Sequence, residues 1–483
     1  MFRKLLVANR GEIAARVLRA GRELGIPTAA IASEADRDAF HARLADEVHV
    51  CGPAPARESY LAAERIVGVA ESIGADAIHP GYGFLAENGA FADLCQARGI
   101  RFVGPTGDVI RAMGSKLGSR RIMARAGVSV VPGSEAVADA GEALEAARAL
   151  GGFPVIVKAS AGGGGRGMRI VREESKLADA LERGRGEALR AFGDGTLYLE
   201  KLVDGPRHVE VQVLADSHGH VVHCFERECS IQRRHQKLIE EAPARIDASM
   251  RERLGAAAVA AARAVGYEGA GTVEFLLDAS GHFYFLEMNT RIQVEHPVTE
   301  AITGLDLVKA QLRIAAGEPL SLAQEDLAMR GHAIEVRIYA EDPDRNFLPS
   351  PGRIERWRPP GGFGVRIDAG VEAGDAVTTH YDPLLAKLTA WGNDRPEAIE
   401  RLRAALDEFA LEGVRSTLTF HRRVVRHPVF QEGRYDTGFI DQHLKGESKP
   451  SGAQRGEAER RSDESKPSGA QRGEAERRSD ESG

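Results

Sequence analysis

Hydrophobic positions change period along the chain, and the changes mark its elements. Up to about residue 105, short apolar runs alternate with helical spacings. Lys4–Ala8, Thr28–Ile31, Ala77–His79 and Arg101–Val103 read as strands; Glu12–Leu24, Tyr60–Ser72 and Ala86–Arg98 read as helices. That order predicts a parallel βαβ domain of the doubly wound kind. Val109–Ala126 continues with helical spacing, and strands Pro154–Lys158 and Met168–Val171 frame a glycine-rich loop. Thr196–Val203 is an apolar strand, and His208–Val213 alternates with one apolar face. The last patterned segment is again mixed. His332–Ala340 and Gly364–Ile367 read as strands, Pro349–Gly352 as a turn and Arg395–Phe409 as an amphipathic helix.

The most informative stretch is Gly269–Glu300. Thr272–Leu277 and His282–Asn289 predict a hairpin closed by Asp278-Ala-Ser-Gly281. With that loop Leu277 pairs with His282, and Glu274 and Glu287 become diagonal neighbours on one face, roughly 7–8 Å apart at Cα. Asn289 has the same parity, while Val273, Phe275, Leu277, Tyr284, Leu286 and Met288 form an apolar face. Two acids and an amide suit a hard divalent cation, although a solvated strand face would carry the same residues. Arg291, Gln293 and Glu295 then alternate, so an extended segment points all three one way. A guanidinium, an amide and a carboxylate there make a pocket for a small oxyanion, with the carboxylate as its base.

Composition narrows the class. The chain has 483 residues, enough for about three domains, and is 43% hydrophobic and 28% charged. A net charge of −7 gives no basic field for nucleic acid. No apolar run is long enough for a membrane span, and the start is too short in apolar residues for a signal peptide. Four cysteines do not make a disulfide framework in so long a chain. These features predict a cytoplasmic protein.

The loop Ala159–Gly167 contains Gly162, Gly163, Gly164, Gly165 and Gly167. Its literal G-x-G-x-x-G lacks the following helix of a dinucleotide site, and no P-loop motif exists. Glycines between two strands suit a hairpin folding over phosphates, against a flexible linker as the alternative. His220, His223, Cys224, Cys229 and His235 fit no zinc spacing. From Lys445 the composition shifts. Glu447–Asp463 repeats unchanged as Glu464–Asp480, has no large apolar residue, and is expected to be a disordered tail.

The segments LVANRGEIAARVLRA, IHPGYGFLAEN, IVKASAGGGGRGM, RHVEVQV, IQRRHQK and FLEMNTRIQVEHPVTE resemble biotin carboxylase, an ATP-grasp enzyme, over about residues 1–443. The resemblance implies an α/β ATP-grasp fold with a Rossmann-like N-terminal domain at 1–113 and an ATP-grasp domain at 114–330. A flap at about 131–203, a mixed C-terminal domain at 331–444 and a tail at 445–483 complete the division. It also implies that ATP and Mg²⁺ or Mn²⁺, two ions, activate bicarbonate as carboxyphosphate. The carboxyl group then passes to biotin on a carrier protein.

Residue by residue, the resemblance assigns ATP phosphates to Lys116, Lys158 and the Gly162–Gly167 flap. Adenine falls to Glu200, Lys201 and Val203, and ribose and phosphates to His208, Gln232 and His235. Glu274, Glu287 and Asn289 would hold the metal, and Lys237 would steady carboxyphosphate. Bicarbonate would meet Arg291, Gln293 and the Val294 backbone, with Glu295 as base; Arg337 would stabilise the biotin enolate and Tyr82 would border biotin. Implied partners are a biotin carboxyl carrier protein, carboxyltransferase chains and a second copy in a homodimer. No Met-Lys pair occurs, so biotin is expected on another chain.

Ser115, the loop before Gly281 and Tyr381-Asp-Pro depart from the pattern of the acetyl-CoA carboxylase component; Tyr381-Asp-Pro looks more like the pyruvate and other acyl-CoA carboxylases. The alternatives are another bicarbonate-activating ATP-grasp ligase, such as a carbamoyl-phosphate synthetase half, and a silent nucleotide-binding subunit.

Overall fold

The N-terminal strands form a five-stranded parallel sheet in the order β3-β2-β1-β4-β5. Its members are β1 (Leu5–Val7), β2 (Thr28–Ser33), β3 (Glu47–Gly52), β4 (Ala77–His79) and β5 (Arg101–Phe102). The order reverses at β1, as in doubly wound sheets whose ligands meet the C-terminal strand ends. Only β3 escapes the sequence pattern. It is an edge strand whose Val48 and Val50 face outward, so its periodicity reports no buried face. The computed structural model describes residues 1–160 and 168–444, and the repeat tail and the glycine loop at 161–167 lie outside the described residues.

The helical stretch after β5 is two helices, Gly107–Gly114 and Lys116–Arg125. Ser115 breaks it: its backbone is extended, and its hydroxyl oxygen caps the second helix by accepting from the Gly118 N–H. Next comes a small antiparallel sheet of β6 (Val155–Ala159), β7 (Arg169–Val171) and β8 (Leu197–Lys201), ordered β7-β6-β8. Its core is Val155, Val157, Leu197 and Leu199 against the helices Ala140–Ala149 and Leu177–Phe192.

The rest of the chain is organised by an eight-stranded antiparallel sheet. It runs β13 (Phe283–Asn289), β12 (Gly269–Leu277), β9 (Arg207–Ala215), β10 (Val221–Arg233), β11 (Gln236–Ala242), β14 (His332–Tyr339), then Leu384–Gly392 and Val365–Ala369. Val209, Val211 and Val213 of β9 and Val273, Phe275 and Leu277 of β12 share a core with the Ala-rich helix Ala248–Ala264. His208, Glu210 and Gln212 have the opposite parity, so one strand supplies both core and polar face. Among the described residues no helix is long and apolar enough to cross a membrane.

Three buried histidines tie stability to pH. Burial lowers His41 and His421 to about 4 and His79 to about 3. Each is neutral in the fold, while the unfolded chain protonates near 6.5. Between those values the unfolded state binds more protons, so stability falls on acidification, by about 1.4 kcal/mol per pH unit for each fully differential group. The melting temperature should therefore drop between pH 6.5 and 4.5, and a level or rising profile there would contradict this reading.

Candidate active site

The hairpin β12–β13 carries two acids at paired positions. Glu274 lies directly opposite Glu287, whereas Phe275 pairs with Phe285 and Leu277 with Phe283. The expected Leu277–His282 pairing and diagonal acids are thus corrected. The loop takes in His282, and one extra residue, Leu286, is inserted between the paired positions 285 and 287. That insertion is a β-bulge. It reverses parity along β13, so Phe285 and Met288 enter the core, while Tyr284 and Leu286 stay outside that cluster.

Around the acids the donors are specific. Glu274 accepts from Lys237 Nζ (2.9 Å), Asn289 Nδ2 (2.8 Å) and Gln293 Nε2 (3.1 Å), and His208 Nε2 lies 3.0 Å from its second oxygen. Burial would raise the Glu274 carboxyl, but the Lys237 and His208 charges outweigh it and hold it well below the usual range. Glu287 is pushed the other way, by burial and by the Glu274 charge. This uncompensated carboxylate beside an ionised one fits a divalent cation. A cation there would take the oxygen of the Asn289 amide, which in this structure faces Arg291 Nη2 at 3.0 Å.

Lys237 sits on β11 among three carboxylates: Glu210, Glu274 and Glu295, the last at 2.6 Å. Burial lowers a lysine, yet these three charges raise Lys237 well above its ordinary value. Glu295 is fully buried and its second oxygen accepts from Arg337 Nη2 at 2.8 Å. Burial again opposes ionisation, but Lys237, Arg337 and Arg227 hold Glu295 well below the normal carboxylate range. Arg337 also donates through Nε to Glu240 at 2.6 Å. Burial, partly offset by Arg337, leaves Glu240 pushed up to about 7.

The segment after β13 is not extended throughout. Arg291 Nη1 donates to Gln293 Oε1 at 3.2 Å, so those two share a side as expected. Glu295 instead occupies a turn before the helix His296–Thr303, with φ −81° and ψ 11°. The turn, rather than alternation, brings it against Lys237 and Arg337. The Val294 carbonyl accepts from Lys387 Nζ at 2.8 Å. Tyr82 donates its hydroxyl to Glu12, whose other oxygen Lys387 approaches at 3.2 Å.

A second group of cations lies beside Glu287. Lys158 Nζ donates to Glu200 at 2.5 Å, and Arg120 Nη1 holds the other oxygen at 2.6 Å. Burial and the Lys158 charge lower Lys116, with Glu287 opposing them. His235 is lowered by burial and by Lys158, His208 and Lys116, so these four basic groups adjoin one another. Arg234 and His235 form a two-residue turn between β10 and β11, both at positive φ (49° and 65°). Non-glycine residues rarely adopt such a pair, and such local strain gathers at functional sites. Gln232 Nε2 lies 3.5 Å from His208 Nδ1. Lys201, at the end of β8, donates to the Gly152 carbonyl at 3.1 Å, and Val203 follows two residues on. Gly162, Gly163, Gly164, Gly165 and Gly167 lie outside the described residues.

Several residues of the site gave no distinct sequence signal. Glu87 holds Arg291 Nε at 3.0 Å. Arg227, fully buried, donates to Glu210 (2.5 Å), Gln212 (2.8 Å), Thr299 (3.0 Å) and Thr272 (3.0 Å). Glu210 and Gln212 could have been found, because the alternation of RHVEVQV puts them on the face of His208.

A cationic pocket beside two acids, joined to a small antiparallel sheet, is the arrangement of an ATP-grasp ligase. Three family models match in succession: "Biotin carboxylase, N-terminal domain" at residues 1–110, "Carbamoyl-phosphate synthase L chain, ATP binding domain" at 116–323 and "Biotin carboxylase C-terminal domain" at 335–442. The chain is 53% identical to biotin carboxylase of Halalkalibacterium halodurans, covering 92% of this chain and 98% of that protein. It is 55% identical to a pyruvate carboxylase component of Methanothermobacter thermautotrophicus, covering 92% and 91%. Among solved structures it resembles the biotin carboxylase domain dimer of Hydrogenobacter thermophilus 2-oxoglutarate carboxylase, in complex with MgADP, ADP and bicarbonate. That match has 50% identity and TM-score 0.89, and covers 92% of this chain and 98% of that one. The chain belongs to the biotin carboxylase family of ATP-dependent ligases.

Proposed function

We propose that this chain carboxylates biotin carried on a separate biotin carboxyl carrier protein, as the first half-reaction of acetyl-CoA carboxylase in fatty-acid synthesis. The observation that carries the half-reaction is the single cluster in which Glu295 meets Lys237 and Arg337 beside Glu274. Lys116, Lys158, His208, Gln232, His235 and the glycine loop would bind the ATP phosphates and ribose; Glu200, Lys201 and Val203 would line adenine. Glu274, Glu287 and Asn289 would hold Mg²⁺ or Mn²⁺, which when bound neutralises charge at the transferring phosphate.

Arg291, Gln293 and the Val294 backbone would orient bicarbonate so that Glu295 takes its proton. The bicarbonate oxygen attacks the γ-phosphorus and ADP leaves, giving carboxyphosphate, which Lys237 steadies. Substrate anions compensate the cations around Glu295, which raises its basicity from the depressed level it has here. Arg337 would then stabilise the ureido oxyanion as the departing phosphate takes the ureido N–H proton and the nitrogen takes the carboxyl carbon. Tyr82 would border the ring. The domain division at 1–113, 114–330 and 331–444, a homodimer, carboxyltransferase partners and a cytoplasmic location belong to the same reading. Four unpaired buried cysteines support the location.

Kinship with a pyruvate carboxylase component, together with the segment Tyr381-Asp-Pro, favours a second acceptor, pyruvate or another acyl-CoA. Purified protein should cleave ATP only with bicarbonate present and should carboxylate free biotin slowly. Consumption of the activated carbonate by ammonia instead of biotin would place the chain with the carbamoyl-phosphate ligases. Adding carboxyltransferases of each kind then separates the acceptors.

A further inference from the structure

Lys387 has no part in the chemistry derived above, yet its side chain is fully buried. Burying an ammonium group is costly unless it is paired and hydrogen-bonded. Its partners come from two distant segments. Nζ donates to the Val294 carbonyl at 2.8 Å and lies 3.2 Å from Glu12 Oε2. Lys387 belongs to the strand Leu384–Gly392, where it stands directly opposite Arg337 on β14. Cross-strand partners share a face. That face therefore grips two consecutive residues of the turn before the helix His296–Thr303: Arg337 holds the Glu295 carboxylate and Lys387 holds the Val294 carbonyl. Behind them, Glu12 is wedged in place. A Cβ on Gly370 would stand 2.4 Å from the Glu12 nitrogen, so the neighbouring strand end packs directly on the backbone that carries Glu12.

We propose that Lys387 is a positioning residue for bicarbonate, fixing the peptide between Val294 and Glu295 so that the turn presents its backbone and the base together. The inference rests on the proposed role of Arg291–Glu295 in binding bicarbonate. The bland alternative is that Lys387 only neutralises the buried Glu12.

The two roles separate in a double variant. Lys387→Met keeps the length of the side chain and removes the charge. It should lower the melting temperature and raise the KM for bicarbonate about tenfold or more, since small misplacements at a reacting centre are expensive. The KM for ATP should change less than about twofold, because the ATP contacts lie on other strands. Lys387→Met combined with Glu12→Gln removes the charges of this pair, while Asp368, opposite Lys387 on the neighbouring strand, keeps Arg366 at 2.8 Å. The double variant should recover melting temperature while its bicarbonate KM stays high. Recovery of the bicarbonate KM in the double variant, or a parallel rise of both KM values in either variant, would overturn the proposal. Absence of bicarbonate-dependent ATP cleavage in the unaltered protein would instead refute the functional reading on which it rests.

Discussion

Glu295→Gln should reduce bicarbonate-dependent ATP cleavage by about 10²–10⁴-fold, the usual contribution of a positioned general base. The substitution keeps the shape of the side chain and removes only the proton acceptor. The fold should survive it, because no cation is stranded: Lys237 retains Glu210 and Glu274, and Arg337 retains Glu240. Carboxylation of biotin should fall with ATP cleavage, since both require the carboxyphosphate. The measurement is phosphate release with and without bicarbonate, beside a thermal melt. A variant that melts normally and still cleaves ATP within a few-fold of the original would remove Glu295 from the role of base.

Arg337→Ala should separate the half-reactions, though less cleanly than the sequence suggests. The enolate forms after ATP cleavage, so Arg337 as its partner should matter for transfer alone, lowering it about 10²–10³-fold. But Arg337 Nη2 also holds Glu295. Losing it frees one oxygen of the base and leaves Glu240 buried beside it without its cation, which disfavours the ionised form of both. ATP cleavage should therefore drop too, by about tenfold, with transfer falling well beyond it. Arg337→Lys should not restore transfer, because one ammonium cannot reach Glu240 and Glu295 and still present a planar fork. Equal losses in both assays would place Arg337 among the bicarbonate contacts only.

The strands β9 and β12 and the parallel sheet were legible because burial enforces their patterns, whereas the bulge hid the parity of β13. Val209, Val211 and Val213 face a core, and alternation exposes that directly. The strands β10 and β11 were not legible. Their buried residues Glu226, Arg227, Glu228 and Glu240 pair with Arg251, Glu210, Arg207 and Arg337 on other elements. No hydrophobic period marks such a strand, and the stretch 220–235 reads as scattered histidines and cysteines that fit no zinc spacing. The same reason hides Glu240, whose partner Arg337 lies on another strand. Glu295 was found by its place in a motif, but its geometry was misread, since alternation assumes an extended chain and the residue sits in a turn. Which cation pairs with which acid depends on contacts between residues far apart in sequence, and periodicity carries no information about those.

The extra residue at Leu286 has a consequence for how this chain tolerates insertions. Because Glu274 and Glu287 are aligned on the near side of that residue, the five positions 278–282 that close the hairpin are uncoupled from the acid pair. Length changes at the tip leave the acids facing each other. Removing Leu286 itself would leave Glu274 opposite Glu287 and Phe275 opposite Phe285, turning the bulged arm into a regular ladder and losing only its local kink and extra twist. Position 286 therefore sets how this arm bends beside the pocket rather than which residues pair, a role that its own side chain does not reveal.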